Sequence, residues 1–307
     1  MEKIKILTQV GVEKLIPPIK MSDKIFVIGS CFAENIGAKL LQYGFDVEIN
    51  PFGTLYNVCS IYNSIRRLRD KHPFTEDDIV LRPDGLYVTF SHHSRFGNRD
   101  RKIFFEEINK SLSKSAERLQ ESDIVIITFG TSYLYFNNFS GKHTLNSAES
   151  LMYSDYKSFS ENVVSNCHKF PAQSFLRIFF PQIFCTQLLR DIKALLPDKR
   201  IILTLSPIRH LADGAHQNQL SKGTLLMSID EVLKNSENLF YFPSYEIMLD
   251  ELRDYRWYNE DMIHPSDAAV KYIFERFKES WIDQDDYDAM EKAHKEYLLR
   301  NHRPLSK

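Results

Sequence analysis

The chain predicts a three-layer α/β/α sandwich around a central five-stranded, mostly parallel sheet. Three observations point there. Short apolar runs recur along the chain: IFVI at 25–28, DIVIITFG at 123–130, RIILTLSP at 200–207 and LFYF at 239–242. Segments with helical apolar spacing lie between them, and this alternation is the signature of a parallel sheet with helices on both faces. The composition, 43% hydrophobic and 26% charged over 307 residues, is that of an ordinary globular protein.

The elements follow in order. IFVI reads as a buried strand. From Ala33 to Tyr43, Ile36, Leu40, Leu41 and Tyr43 fit one helical face, and Gly44 is a natural stop. FDVEINPFG is an alternating strand that ends in a Pro/Gly loop, and NVCSIYNSIRRLRD (57–70) is a helix with Ile61 and Ile65 in register. Over 72–105 the period breaks. Pro83-Asp84-Gly85 marks a hairpin turn there, so this stretch reads as an insertion near the sheet edge. A helix over IFFEEINKSLSKSAERLQES leads to the strand at 123–130, and the irregular stretch 131–170 is expected to form part of a lid. A helix ending before Pro197, the strand RIILTLSP, the helix QLSKGTLLMSIDEVLKN and the strand LFYF follow. HPSDAAVKYIFERFKESW is a helix opened by a Pro/Ser cap, and 281–307 reads as a C-terminal helical tail. The whole of 1–307 is expected to form a single domain.

Charge and composition exclude several functions. A formal net charge of −2 leaves no basic footprint for nucleic acid. No run approaches the roughly 18 apolar residues of a membrane span, and the N-terminus lacks a signal-peptide core, so a cytoplasmic location without a membrane partner is expected. Cys31, Cys59, Cys167 and Cys185 form no CxxC pair and read as free thiols. His92-His93 has no acidic or Cys partner at ligand spacing, so no metal site is expected, and Cys167-His168 reads as structural. GxGxxG after the first strand and GxxxxGK[ST] are both missing, so no cofactor is expected.

In open parallel sheets, ligands bind outside the carboxyl ends of the strands. The candidate loops are GSC at 29–31, NPFGT at 50–54, FGTS at 129–132, SPIRH at 206–210 and the loop before His264. In the first, Ser30 and Cys31 stand where a strand turns into a helix, a position that exposes a nucleophile. The helix N-terminus favours negative charge there and is expected to lower a thiol's pKa. In DMIHP, Asp261 lies three residues before His264, so one turn brings the carboxylate to one imidazole nitrogen and leaves the other free as a general base. Acyl transfer also needs oxyanion donors. The backbone N–H groups of Cys31 and Gly53, and Gly130 with Thr131 and Ser132, are the candidates. Arg209 and His210 are read either as contacts to a substrate anion or carbonyl, or as partners of carboxylates such as Asp213.

IFVIGSCFAENIG, NPFGTLYN, SPIRH…DGAH…N…SK and DMIHPSDAA resemble the GSCFA family over roughly residues 5 to 280. That family looks like a branch of the SGNH (GDSL-like) hydrolase superfamily of esterases, lipases, deacetylases and acyltransferases. The resemblance implies an SGNH/flavodoxin-like sandwich. It places Gly53 in the superfamily's second block, Ser132 where the third block has Asn, and Asp261 with His264 in the last. Laid strand on strand, Gly29 takes the glycine position and Cys31 the nucleophile position. A slide by one residue puts Ser30 there but loses the glycine match. The expected function is therefore ester hydrolysis or acyl transfer on a small-molecule or saccharide acyl substrate, by Cys31 or Ser30 with His264 and Asp261. The alternatives are a catalytically silent binding protein and a flavodoxin-like cofactor binder.

Overall fold

The computed structural model describes residues 8–138, 143–165, 167, 169–234 and 236–301. Strand β1 (Lys24–Gly29) leads into α1 (Cys31–Gln42), β2 (Asp46–Ile49) and α2 (Val58–Arg69). A hairpin, β3 (Ile79–Leu81) and β4 (Tyr87–Thr89), precedes α3 (Arg101–Glu121), β5 (Ile124–Phe129) and β6 (Tyr133–Asn137). Then come α4 (Leu145–Ser154), α5 (Tyr156–Glu161), β7 (Val163–Val164), β8 (Phe175–Phe179) and α6 (Gln182–Leu195). The last third holds β9 (Arg200–Leu205), α7 (Ala215–Leu233), β10 (Leu239–Phe242), a single turn α8 (Ser244–Glu246), α9 (Asp267–Trp281) and α10 (Tyr287–Asn301).

The five central strands lie in the order β10-β9-β5-β1-β2, and all four pairings are parallel. The inner strands β1, β5 and β9 are apolar on both faces because helices cover both, whereas the edge strand β2 (DVEI) alternates Asp46 and Glu48 with Val47 and Ile49. Phe26, Ile28, Val125, Ile127, Ile201 and Leu203 pack into one core with residues of α2, α3, α6 and α7. Ile25, Val27, Ile124, Ile126 and Ile202 pack into the other with α1, α9 and Met290 of α10. From β1 the chain moves outward to β2 and then returns to the opposite side at β5. The crevice at the carboxyl ends of β1 and β5 is thus the topological switch point, where ligands of such sheets bind.

Two expectations change. The stretch 131–170 is not simply irregular, because β6 pairs with β7 and β8 in a small antiparallel sheet of order β7-β6-β8. Its alternation is plain in YLYFN, where Leu134 and Phe136 are buried while Tyr133 and Tyr135 are partly exposed. Helix α7 also starts earlier than expected, at Ala215, just after Gly214. His168 and residues 139–142 lie outside the described residues. The Pro83-Asp84-Gly85 turn does join an antiparallel pair, β3 and β4. Helix α10 docks its Met290 into the core and stacks His294 on Tyr43, with ring centroids 4.4 Å apart. Among the described residues no helix is long and apolar enough to cross a membrane.

Candidate active site

Gly29 ends β1 at a φ of 141°, a conformation that suits glycine. A Cβ there would lie 2.1 Å from the Thr128 carbonyl oxygen of β5, so only hydrogen fits between the strands. The loop after β2 clasps this turn. Asn50 Oδ1 accepts the Gly29 N–H at 2.8 Å, and the Leu55 N–H donates to the Gly29 carbonyl at 2.8 Å. Both polar groups of Gly29 are thereby satisfied, and the residues that follow are held in one place.

Ser30 is fully buried, and its hydroxyl caps α1 by accepting the Phe32 N–H at 3.3 Å. Cys31 occupies the first helical position and is partly exposed, with Sγ 3.3 Å from the Tyr56 hydroxyl. Burial pushes its thiol pKa up from 9.0, assisted by Glu34 and opposed by the Tyr56 hydrogen bond. The expected lowering at a helix N-terminus is therefore overturned, because desolvation outweighs the local donors. The resting thiol is therefore protonated at neutral pH.

His264 and Asp261 lie on the loop before α9, whose N-cap is Ser266. His264 Nδ1 is 2.6 Å from Asp261 Oδ2, and Asp261 Oδ1 accepts the N–H groups of Ile263 at 2.9 Å and His264 at 3.0 Å. These bonds, led by the backbone N–H of His264, pull the Asp261 carboxyl down to about 2, so it is ionised throughout the neutral range. An ionised partner fixes the proton on Nδ1 and leaves Nε2 as the basic nitrogen. The SPIRH loop braces this turn. The Arg209 N–H donates to the Ile263 carbonyl at 3.1 Å, and its guanidinium donates to the Met262 carbonyl at 2.9 Å.

His264, Tyr56, Thr131, Arg209 and His210 line one cavity of about 310 Å³, together with Tyr133, Tyr135 and Arg177 of the small sheet. Cys31 is not itself on the wall of this cavity; Tyr56, which is, contacts the thiol through its hydroxyl. Arg177 lies 4.8 Å from the ring centroids of both Tyr133 and Tyr135 and pairs with Asp213. The Asp213 carboxylate thus pairs with Arg177, while its N–H donates to the His210 carbonyl at 3.2 Å. Beneath the cavity, Lys222 of α7 is 1% exposed and donates to the Gly130 and Ser206 carbonyls, each at 2.7 Å. It ties the ends of β5 and β9 together. Burial lowers its pKa to about 7.

The remaining oxyanion candidates point elsewhere. The Gly53 N–H donates to the Asn50 carbonyl at 2.7 Å, and the Gly130 N–H donates to the Tyr56 carbonyl at 2.8 Å. Ser132 is fully buried, and its N–H donates to Ser221 Oγ at 2.7 Å. These groups shape the loops and do not face the cavity, whereas the Cys31 N–H, in the first helical turn, has no intrahelical acceptor. His92 is a core residue, bonded to Thr89 at 2.7 Å and packed among Phe52, Phe74 and Phe96. Sequence reasoning did not single out Tyr56, Asn50, Arg177 or Lys222. The NPFGTLYN motif contains Asn50 and Tyr56, and the SK that closes the SPIRH…DGAH…N…SK motif contains Lys222, so a signal was available for those three.

Fold and site together define an α/β sandwich with a thiol-bearing helix start and an Asp–His couple at the carboxyl ends of a parallel sheet. The chain belongs to the GSCFA family, whose profile matches residues 24–277. Among solved structures it is similar to a Clostridium thermocellum family 3 carbohydrate esterase, at 8% identity and a TM-score of 0.37, over 89% of this chain and 98% of that one. No curated protein matches its sequence.

Proposed function

We propose that the protein is an acyl enzyme that hydrolyses, or transfers the acyl group of, an ester or thioester, with Cys31 as nucleophile, His264 as base and Asp261 as orienter. The observation that carries this reading is the Asp261–His264 couple at 2.6 Å, on the same cavity as the Tyr56 that contacts the Cys31 thiol. Ser30, buried and engaged in capping, is disfavoured as the attacking group. In this reading Cys31 Sγ bonds to the substrate carbonyl carbon and its proton passes to His264 Nε2. The C–O or C–S bond to the leaving group then breaks, and that group takes the proton from His264. Water or an acceptor hydroxyl, deprotonated by His264, resolves the thioester and returns Cys31 as the thiol. The Cys31 N–H at the helix start supports the oxyanion.

The test is turnover of short-chain p-nitrophenyl esters and thioesters by wild type, Cys31→Ala, Ser30→Ala and His264→Ala. The reading expects activity that falls at least a hundredfold in Cys31→Ala and His264→Ala. Full activity in His264→Ala removes the proposed base, and full activity in Cys31→Ala returns the role to Ser30. The inward N–H groups of Gly53 and Gly130 favour a second reading, a catalytically silent ligand-binding cleft. Ligand binding by the wild type without turnover of any ester would establish that reading.

A further inference from the structure

The proposed acyl chemistry leaves the carbonyl oxygen with one backbone donor, the Cys31 N–H, where the superfamily pattern expects a side-chain donor as well. We infer that His210 is a further catalytic residue, its imidazole donating to the oxyanion in place of the side chain expected at position 132. This rests on the acyl-enzyme reading above and deepens it.

Position 132 cannot serve as built. The Ser132 side chain is fully buried with its hydroxyl unpartnered, its N–H is held by Ser221, and its carbonyl accepts the Phe180 N–H at 3.0 Å. Ser132 is not on the cavity wall, and these two backbone bonds hold it in the interior. Thr131 does line the cavity, but its Oγ1 lies 2.9 Å from Ser221 Oγ and accepts the Tyr133 N–H at 3.0 Å. That hydroxyl is part of the turn that starts β6.

The imidazole of His210 lies on the cavity wall. It lines the cavity with His264 and Tyr56, and its ring meets the Tyr56 ring edge-on at 5.7 Å. The His210 N–H donates to Asn218 Oδ1 at 2.9 Å, which fixes the residue on its loop. Gly130 makes room for the ring, since a Cβ there would lie 3.1 Å from His210 Nε2 and 3.2 Å from the Tyr56 carbonyl. A glycine in the third block thus has a physical reason that does not involve its own N–H.

Charge and burial set the protonation state. Burial first, then the neighbouring Lys222, Arg177 and His264, drive the His210 pKa down to about 3, so the ring is neutral around pH 7. Nε2 is buried without a hydrogen-bond partner. A buried N–H lacking an acceptor loses a full hydrogen bond, so the single ring proton belongs on Nδ1, which is left to donate. A neutral imidazole suits this task, because it stabilises developing negative charge without titrating during turnover.

The test compares kcat and KM for a p-nitrophenyl ester in wild type, His210→Ala, His210→Gln, Ser132→Ala and His264→Ala. Loss of one oxyanion donor lowers kcat by roughly 100- to 1000-fold with KM within about threefold. His210→Gln, which retains an N–H donor, should recover at least tenfold of that loss, and Ser132→Ala should stay within threefold of wild type. Should His210→Ala fail to fold, Gly130→Ala, whose Cβ would press on the ring at 3.1 Å and shift it by a few tenths of an ångström, takes its place with a smaller fall in kcat and an unchanged KM expected. Wild-type kcat in the His210 and Gly130 variants, or a rise in KM alone, overturns the inference while the loss in His264→Ala leaves the acyl reading standing. Turnover that His264→Ala does not alter, or no turnover at all, overturns the acyl reading and this inference with it.

Discussion

Replacing Gly29 by alanine tests how tightly the strand ends define the site. The added Cβ would lie 2.1 Å from the Thr128 oxygen and 2.8 Å from the Thr128 nitrogen, so β1 and β5 must part by about an ångström. Parting them removes the Ser30 N–H bond to the Thr128 carbonyl, now 3.0 Å, a loss of about 1 kcal/mol. A side chain at a φ of 141° adds about 1–3 kcal/mol of backbone strain. The overpacking itself adds about 1–3 kcal/mol. The sum is on the order of 4 kcal/mol, a large share of the roughly 5–15 kcal/mol that holds a domain folded. Urea denaturation and thermal melting of Gly29→Ala against wild type read this directly, and a melting point lower by about 10 °C is expected. Gly223→Ala is the control. It lies inside α7 with nothing within 4 Å of its Cβ position, so a neutral effect or up to about 1 kcal/mol of stabilisation is expected. A Gly29→Ala melting point within about 2 °C of wild type would refute the close-approach argument.

Three further outcomes follow from the same structure. Tyr56→Phe removes the hydrogen bond that lowers the Cys31 thiol pKa, so iodoacetamide labelling of Cys31 at neutral pH should slow by about tenfold with its pH profile moved to the alkaline side. His92, whose pKa burial lowers from 6.5 to about 3, is neutral when folded and protonated when unfolded in that window. Stability should therefore fall by about 1.4 kcal/mol per pH unit from 6.5 towards 3 on its account, and urea titrations of His92→Phe should show a shallower acid slope. Lys222 sheds its proton in the folded state near pH 7 and in the unfolded state near 10.5, so wild-type stability should rise relative to Lys222→Met between those pH values. Parallel pH dependence of the two proteins would show that the buried amine is not perturbed.

What was legible in the sequence was what is local. The central strands announce themselves because both faces are apolar, and the Asp261–His264 couple closes within a single turn. Gly29 was recognisable as a turn, although its real constraint, the Thr128 carbonyl a hundred residues away, was not. The small sheet was missed because β6 alternates over only five residues and finds its partners across long insertions. The resemblance placed Ser132 at an oxyanion position, yet Ser221, far along the chain, accepts its N–H and it is fully buried. The thiol at Cys31 was expected to be acidic from its helix position alone, whereas the burial that raises its pKa depends on the assembled fold. Tyr56 and Lys222 belong to the same class, since their roles arise from contacts with Cys31, Gly130 and Ser206 that no spacing encodes.

The central claim, a covalent acyl intermediate on Cys31, is tested most directly by rapid acid quench of the enzyme with a slowly turned-over thioester, followed by intact-mass and peptide mass spectrometry. One acyl group per chain is expected, located on the peptide containing Cys31, with a slower appearance of the adduct in His264→Ala. An adduct on Ser30, or turnover with no covalent adduct at any quench time, would contradict it.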